Sequence, residues 1–126
     1  MSWTSILLVF LGGGLGSVSR YLVAWLISQR FESVYSIGTL TVNIVGSLLL
    51  GLVVGGLSKY QLTNHHLSYL LAIGFCGGFT TFSTFSYENA LLLKAGQYGP
   101  FALYAGGSLI LGIGALMLGL LLTKWV

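Results

Sequence analysis

The chain has 126 residues, of which 56% are hydrophobic and only 6% are charged. Soluble domains carry roughly 25% charged residues, so this composition cannot cover a globular surface in water and predicts a protein of the lipid bilayer. The five basic residues are spread singly along the chain, so no nucleic-acid partner is expected.

Four apolar segments with few charges predict four transmembrane helices in one domain that covers residues 1–126. Each approaches or exceeds the roughly 20 residues needed to cross the hydrocarbon of a bilayer. Charges and turn-forming residues fall between them, in Ser28–Tyr35, Ser58–His66 and Lys94–Pro100. We therefore expect an all-α, multi-pass protein of the cell membrane (inner or plasma membrane), with helices at Ser5–Ile27, Ser36–Leu57, Leu67–Leu93 and Phe101–Thr123.

Glycine is unusually frequent, with 19 of the 126 residues. Small residues at four-residue spacing let helix backbones approach closely in membranes, where packing drives association. Such pairs predict dense packing within a subunit and between subunits; they are Gly12 with Gly16, Gly13 with Ser17, Ser47 with Gly51 and Gly55, and Ser108 with Gly112.

The first two predicted spans each contain buried polar candidates. Arg20 lies inside the first span, where it either snorkels toward the Trp25 end or presents a positive charge to an anion vestibule. Asn43 lies in the second span, where its amide serves either as glue between helices or as a donor to an anion. Thr39 lies one turn before Asn43 and shares its face.

The third span carries the most unusual pattern. The pair Gly77-Gly78 predicts a break in the helix, and carbonyls freed there either bind a cation or are satisfied by the hydroxyls of Thr80 or Thr81. After the break, Ser83 belongs to a cluster of hydroxyls and, like Thr39, is a candidate to line an anion pore; Glu88, like Arg20, is a candidate for a vestibule or gate. Phe82 and Phe85 share a face with Glu88 one turn further, and their rings either pack or present positive edges to an anion.

The fourth span places Tyr104 and Ser108 on one face, at i and i+4. These hydroxyls either continue a polar track or bond neighbouring helices. No serine–histidine or metal-ligand constellation falls within the spans, and Glu88 is the only acid inside them. The pattern does not favour an enzyme.

The chain resembles the Fluc (CrcB) family of small fluoride channels across nearly its whole length. The resemblance is carried by three motifs: Gly16-x-x-x-Arg20-Tyr21, then Gly38-Thr39-Leu40-x-Val42-Asn43 followed by Gly46, and Gly74-Phe75-x-Gly77-Gly78-x-Thr80-Thr81-Phe82-Ser83-Thr84-Phe85. The third motif is long and chemically unusual, which makes the resemblance specific.

The resemblance implies a passive, fluoride-selective channel that exports cytoplasmic fluoride and protects against its toxicity. It further implies an antiparallel, dual-topology homodimer with two pores along the interface. Asn43 would line a pore and the rings of Phe82 and Phe85 would contact the ions. Carbonyls of Gly77 and Thr80 would hold a structural sodium ion on the dimer axis. Tyr104 and Ser108 match the polar stripe of the last helix, and Gly112 interrupts it.

The main alternative is a small four-helix multidrug transporter that exchanges protons for cationic drugs. That mechanism requires a carboxylate deep in the first span, which has to bind a proton and a cation alternately. The first span here contains Arg20 and no acid, which argues against this alternative.

The distribution of charge between the two ends of the bundle favours insertion in both orientations. With four spans, Lys59 and Lys124 lie on one side of the membrane and Arg30 and Lys94 on the other. Lysines and arginines in the loops set the orientation of a protein in the membrane, so equal numbers on the two sides favour neither orientation.

Overall fold

The computed structural model describes residues 1–31, 35–61 and 65–125. The elements of this part of the chain are α1 (Trp3–Ser28), α2 (Tyr35–Lys59), α3 (His65–Leu67), a π-helix (Ser68–Cys76), α4 (Gly77–Phe79), α5 (Phe82–Lys94) and α6 (Tyr98–Trp125). Helices α1, α2 and α6 and the composite segment His65–Lys94, here called the third span, are each long and apolar enough to cross a membrane. The prediction of an all-α protein with four spans is confirmed.

The third span departs most from regular helical geometry. Thr80 and Thr81, between α4 and α5, are extended, with φ/ψ of −82°/159° and −149°/118°. The sequence prediction put the interruption near Gly77 and Gly78, but both glycines are helical. Glycine weakens a helix without removing its N–H or C=O. The extended residues lie where side chains offer the backbone other partners, as described below.

Helix α1 packs against the first half of the third span (residues 65–79) through direct backbone contact. Gly12 and Gly16 are buried on α1. A Cβ atom added to Gly12 would lie 2.9 Å from the Phe75 nitrogen, and one added to Gly16 would lie 2.8 Å from the Phe79 nitrogen. No side chain larger than hydrogen fits at these two positions. The close approach predicted from the spacing of these glycines is present, and we call this contact the glycine seam.

Helices α2 and α6 make a second close contact, nearer to their C-terminal ends. A Cβ on Gly51 would lie 3.0 Å from the Gly119 Cα, and a Cβ on Gly119 would lie 2.9 Å from the Gly51 Cα. Gly55 is equally restricted, by the side chain of Thr123. The two glycine contacts therefore join the helices in pairs, α1 with the third span and α2 with α6.

The connection between α5 and α6 is shorter than predicted. Gly96 has a positive φ of 70°, and the N–H groups of Gly96 and Gln97 donate to the carbonyls of Leu93 and Leu92 at 3.0 and 2.9 Å. This pairing is a Schellman motif, which requires a residue such as glycine in the left-handed region. Pro100, assigned to a loop by the prediction, lies in the first turn of α6, where a missing N–H costs nothing.

Two predicted spans are also shorter than the observed helices: the second at its C-terminal end and the third at its N-terminal end. Helix α2 continues through Lys59, within the predicted loop Ser58–His66, and α3 begins at His65. Long basic side chains can extend a helix beyond the hydrocarbon because the apolar stem stays near the bilayer while the charge reaches water.

Most of the apolar surface of the subunit is uncovered. The window that identifies the last span has a mean hydropathy of 2.1, yet only 6% of its residues are buried. An apolar helix this exposed requires lipid or another protein surface around it. The subunit is therefore built to be surrounded by an apolar environment.

Candidate functional site

A largely apolar cleft of about 320 Å³, with a few polar side chains in its wall, opens beside the interruption of the third span. Helices α2, α5 and α6 and the extended residues contribute to its walls. We call it the central cleft; its polar and aromatic lining includes Asn43, Ser47, Thr81, Phe82, Phe85 and Ser108. Five of the predicted site residues lie at this cleft: Asn43, Thr80, Phe82, Phe85 and Ser108.

Asn43 forms a two-point hydrogen bond with the backbone of Thr81. Its Nδ2 donates to the Thr81 carbonyl at 3.0 Å, and its Oδ1 accepts from the Thr81 N–H at 2.8 Å. The Asn43 amide thus supplies the Thr81 backbone with the donor and the acceptor that a neighbouring helical turn or strand would otherwise supply. Asn43 stabilises the extended backbone, and the second hydrogen of its amide is a donor beyond the one used on Thr81.

Thr81 caps the helix that follows. Its Oγ1 accepts from the Thr84 N–H at 3.3 Å and donates to the Thr84 hydroxyl at 3.0 Å. The Ser83 hydroxyl lies 3.3 Å from the same Oγ1 atom and is exposed. The start of α5 is therefore a helix N-terminus beside the central cleft, and the partial positive charge of such a terminus favours anions.

Three aromatic rings form a row along this side of α5. The ring centroids of Phe82 and Phe85 lie 5.7 Å apart at an interplanar angle of 36°, and those of Phe85 and Tyr104 lie 5.3 Å apart at 51°. Tilted rings direct positively polarised edges toward neighbouring space. Phe82 is 77% exposed, so its ring extends outside the subunit.

Glu88 lies at the Tyr104 end of this aromatic row. Thr39 Oγ1 donates to one carboxylate oxygen at 2.8 Å, and the Tyr104 hydroxyl donates to the other at 2.6 Å. Thr39 is buried, with 5% of its surface exposed. The predicted residues Thr39, Glu88 and Tyr104 therefore form one hydrogen-bonded group that joins α2, α5 and α6.

Arg20 is bound to the third span. Its Nε donates to the Gly78 carbonyl at 3.0 Å, and the Ser17 hydroxyl donates to the same oxygen at 3.4 Å. Arg20 is absent from the described lining of the central cleft. The guanidinium satisfies a carbonyl at the end of α4, where the partial negative charge of a helix C-terminus favours a cation.

Gly77 and Thr80 have carbonyls whose ordinary helical donors bind elsewhere. In an uninterrupted helix the Thr81 N–H would donate to the Gly77 carbonyl, but here it donates to Asn43 Oδ1. The Thr84 N–H would donate to the Thr80 carbonyl, but here it donates to the hydroxyl of Thr81. Gly77 is exposed, and a Cβ there would meet nothing within 4 Å. Two carbonyls whose usual helical donors bind elsewhere are oxygen ligands of the kind that a hard cation prefers.

Two buried polar atoms lack a partner within the described part of the chain. They are the hydroxyl oxygen of Ser108 and Oδ1 of Asn89. Asn89 is 6% exposed, and its Nδ2 donates to the Phe85 carbonyl at 2.8 Å. The sequence interpretation missed Asn89, and it gave Ser17 only a packing role beside Gly13. Asn89 follows Phe85 by four residues, and a polar amide at this spacing within an apolar span is the signal that could have identified it.

Four helices that are long and apolar enough to span a bilayer, in an all-helical chain, define a multi-pass membrane protein. The family model described as CrcB-like protein, Camphor Resistance (CrcB), matches residues 7–120. A fluoride-specific ion channel FluC of Gloeothece citriformis is 52% identical over 119 residues, which cover 94% of this chain and 96% of that protein.

Two further relatives carry the same name. The fluoride-specific ion channel FluC of Phocaeicola vulgatus is 46% identical over 120 residues, which cover 95% of this chain and 98% of that protein. That of Bacteroides fragilis is 42% identical over 117 residues, which cover 90% and 91%. The chain belongs to the CrcB-like family.

Proposed function

We propose that this protein is a fluoride channel that lets cytoplasmic fluoride leave the cell passively. The observation that carries this proposal is the central cleft, where the N-terminus of α5, polar side chains and the aromatic row meet. The names of the relatives supply the identity of the ion. Channel function involves no bond chemistry, so the protein is not an enzyme.

The cleft suits a small, strongly hydrated anion. Fluoride enters a narrow path only where donors and positive ring edges replace its water. Around the cleft, those groups are hydroxyls, the second amide hydrogen of Asn43 and the rings of Phe82 and Phe85. In acid surroundings neutral HF diffuses into the cell and dissociates, and a passive channel releases the trapped ion down its gradient.

The drug-transporter alternative has no support at the site. Its mechanism needs an acid in the first span, where the chain has Arg20 bound to the Gly78 carbonyl. The one intramembrane acid, Glu88, accepts hydrogen bonds from Thr39 and Tyr104. A fluoride-electrode efflux assay on reconstituted liposomes tests the two readings. Fluoride release without a proton gradient is expected; proton-driven uptake of a cationic dye without fluoride release would overturn the proposal.

The third span works, in this proposal, as two half-helices. The extended backbone at Thr80 and Thr81 supports this, as does the capping of each end by different groups. The C-terminus of α4 is suited to cations and the N-terminus of α5 to anions. One interruption would thus serve both a structural cation and the permeating anion.

Sodium is the structural cation that this arrangement fits. The carbonyls of Gly77 and Thr80, freed by the partners described above, would hold it, and the ion would supply positive charge that binds the subunits together. Prolonged removal of sodium from the purified protein should lower the thermal stability of the dimer and its fluoride flux. Restoring sodium should recover both, and unchanged stability in its absence would contradict the site.

The functional unit proposed here is an antiparallel homodimer. A ring 77% exposed at Phe82 and a cleft open at the subunit surface both call for a second subunit. The balance of Lys59 and Lys124 against Arg30 and Lys94 leaves the chain free to insert in both orientations. Two subunits in opposite orientations would supply the inverted symmetry that many transporters build from repeats.

Charge engineering tests the orientation. Two or three lysines added to one end of the bundle should force a single topology and lower fluoride resistance in cells. Co-expression of a variant biased in the opposite direction should restore resistance. A strongly biased variant that protects cells by itself as well as the unmodified protein does would exclude the antiparallel dimer while leaving the channel proposal intact.

A further inference from the structure

A second cavity, of about 510 Å³, lies between the C-terminal ends of α2 and α6. We infer that it binds one anionic phospholipid, with the phosphate at its basic rim and an acyl chain along its apolar wall. We call it the terminal cleft. It shares no described lining residue with the central cleft, and the inference does not depend on which ion the protein conducts.

The wall of the terminal cleft is apolar and uncovered. Val54, Met117 and Leu121 line it and are 44%, 52% and 45% exposed. Large apolar side chains left bare in a membrane-spanning subunit need an apolar molecule against them. The concave shape between two helices fits a flexible chain better than a flat protein surface, so an acyl chain is the occupant that this wall favours.

The rim of the terminal cleft is basic. Lys59 in the last turn of α2 and Lys124 in the last turn of α6 both line it, together with the exposed Ser58. The whole chain has only two acids, and neither is among the described lining residues. No described lining residue therefore brings a carboxylate to these two ammonium groups, and a phosphate group complements their charge.

The position of the two lysines matches the headgroup region. Each ends a span, and the Lys59 ammonium lies 5.7 Å from the ring centroid of Tyr60, so a cation and an aromatic residue lie together at the boundary of the apolar segment. Free phosphate in water would meet the lysines but gain nothing from the wall. A phospholipid contacts both parts, which is why the cleft favours it over the free ion.

The test compares two double variants by native mass spectrometry of the purified protein. Lys59→Gln with Lys124→Gln removes the rim charges. Arg30→Gln with Lys94→Gln removes two charges from the other end of the bundle and shifts the insertion balance by the same amount in the opposite direction. Phosphatidylglycerol should stay bound to the unmodified protein and to the second variant. The first variant should bind it about thirtyfold more weakly, since each lysine contributes about 1 kcal/mol.

Three further results decide the inference. Filling the wall with Leu121→Trp should lower phosphatidylglycerol retention although both lysines remain. Phosphatidylcholine should not replace phosphatidylglycerol in stabilising the protein against heat, and neither should inorganic phosphate. Equal retention by the two double variants, equal stabilisation by phosphatidylcholine, or stabilisation by inorganic phosphate alone would each overturn the proposal.

Discussion

The two sides of the third span differ in how they meet their surroundings. On the α1 side lies the glycine seam, where backbone touches backbone: a Cβ on Gly78 would lie 3.0 Å from the Cα of Gly13. Its neighbour Gly77 is exposed, and a Cβ there would meet nothing within 4 Å. Of these two adjacent glycines, Gly78 therefore packs against the backbone of α1 and Gly77 lies on the surface.

This difference explains how the two halves of an interrupted helix can be held in fixed positions. Close packing along the glycine seam, with Arg20 and Ser17 on the Gly78 carbonyl, fixes the end of the first half. Asn43 then fixes Thr81 from the opposite side. The backbone on both sides of the interruption is therefore held by side chains of α1 and α2.

The largest effect is expected from closing the seam with a side chain. Gly16→Val should prevent assembly of a folded protein, because its Cβ would lie 2.8 Å from the Phe79 nitrogen and backbone cannot move aside cheaply. Gly14→Val is the matched control, since a Cβ at Gly14 meets nothing within 4 Å. Size-exclusion chromatography and thermal unfolding measure both. Similar unfolding temperatures for the two variants would show that the seam is not a rigid contact.

The next largest effect concerns the central cleft. Asn43→Asp should nearly abolish fluoride flux, since the carboxylate loses the donor to the Thr81 carbonyl and adds negative charge that repels an anion. Ser47→Ala, one turn further on α2 in the same cleft, keeps the bonds to Thr81 and should retain most of the flux. Liposome efflux is the measurement. Normal conduction by Asn43→Asp would show that Asn43 does not line the path of the ion.

The smallest effect is expected at the aromatic row. Phe82→Ile and Phe85→Ile keep most of the bulk and lose the ring edges, so each should slow fluoride flux by about 2- to 10-fold while the protein still folds. Phe75→Ile is a control in the first half of the span, where Phe75 stacks on Phe79 at 5.8 Å. It should lower stability more than flux. Unmodified flux in both cleft variants would leave the rings a packing role only.

The polar residues around the interruption of the third span could be named from the sequence largely because they are polar in apolar surroundings. Asn43, Glu88 and the threonines around the interruption are costly in hydrocarbon unless they have partners, so each is conspicuous. Their partners could not be named. The Glu88 carboxylate is bound by Thr39 and Tyr104, which precede it by 49 residues and follow it by 16.

The sequence by itself determined the membrane environment, the four spans and the small-residue faces that allow close helix contact, since these follow from composition and from helical spacing. The tertiary structure decided where the third span is interrupted. Glycines at 77 and 78 permit a break, but the extended residues are Thr80 and Thr81. The partner that stabilises them, Asn43, is 38 residues away in sequence, and the partner of the Gly78 carbonyl, Arg20, is 58 residues away. A helix is interrupted where other groups satisfy its backbone, and only the packed fold brings those groups there.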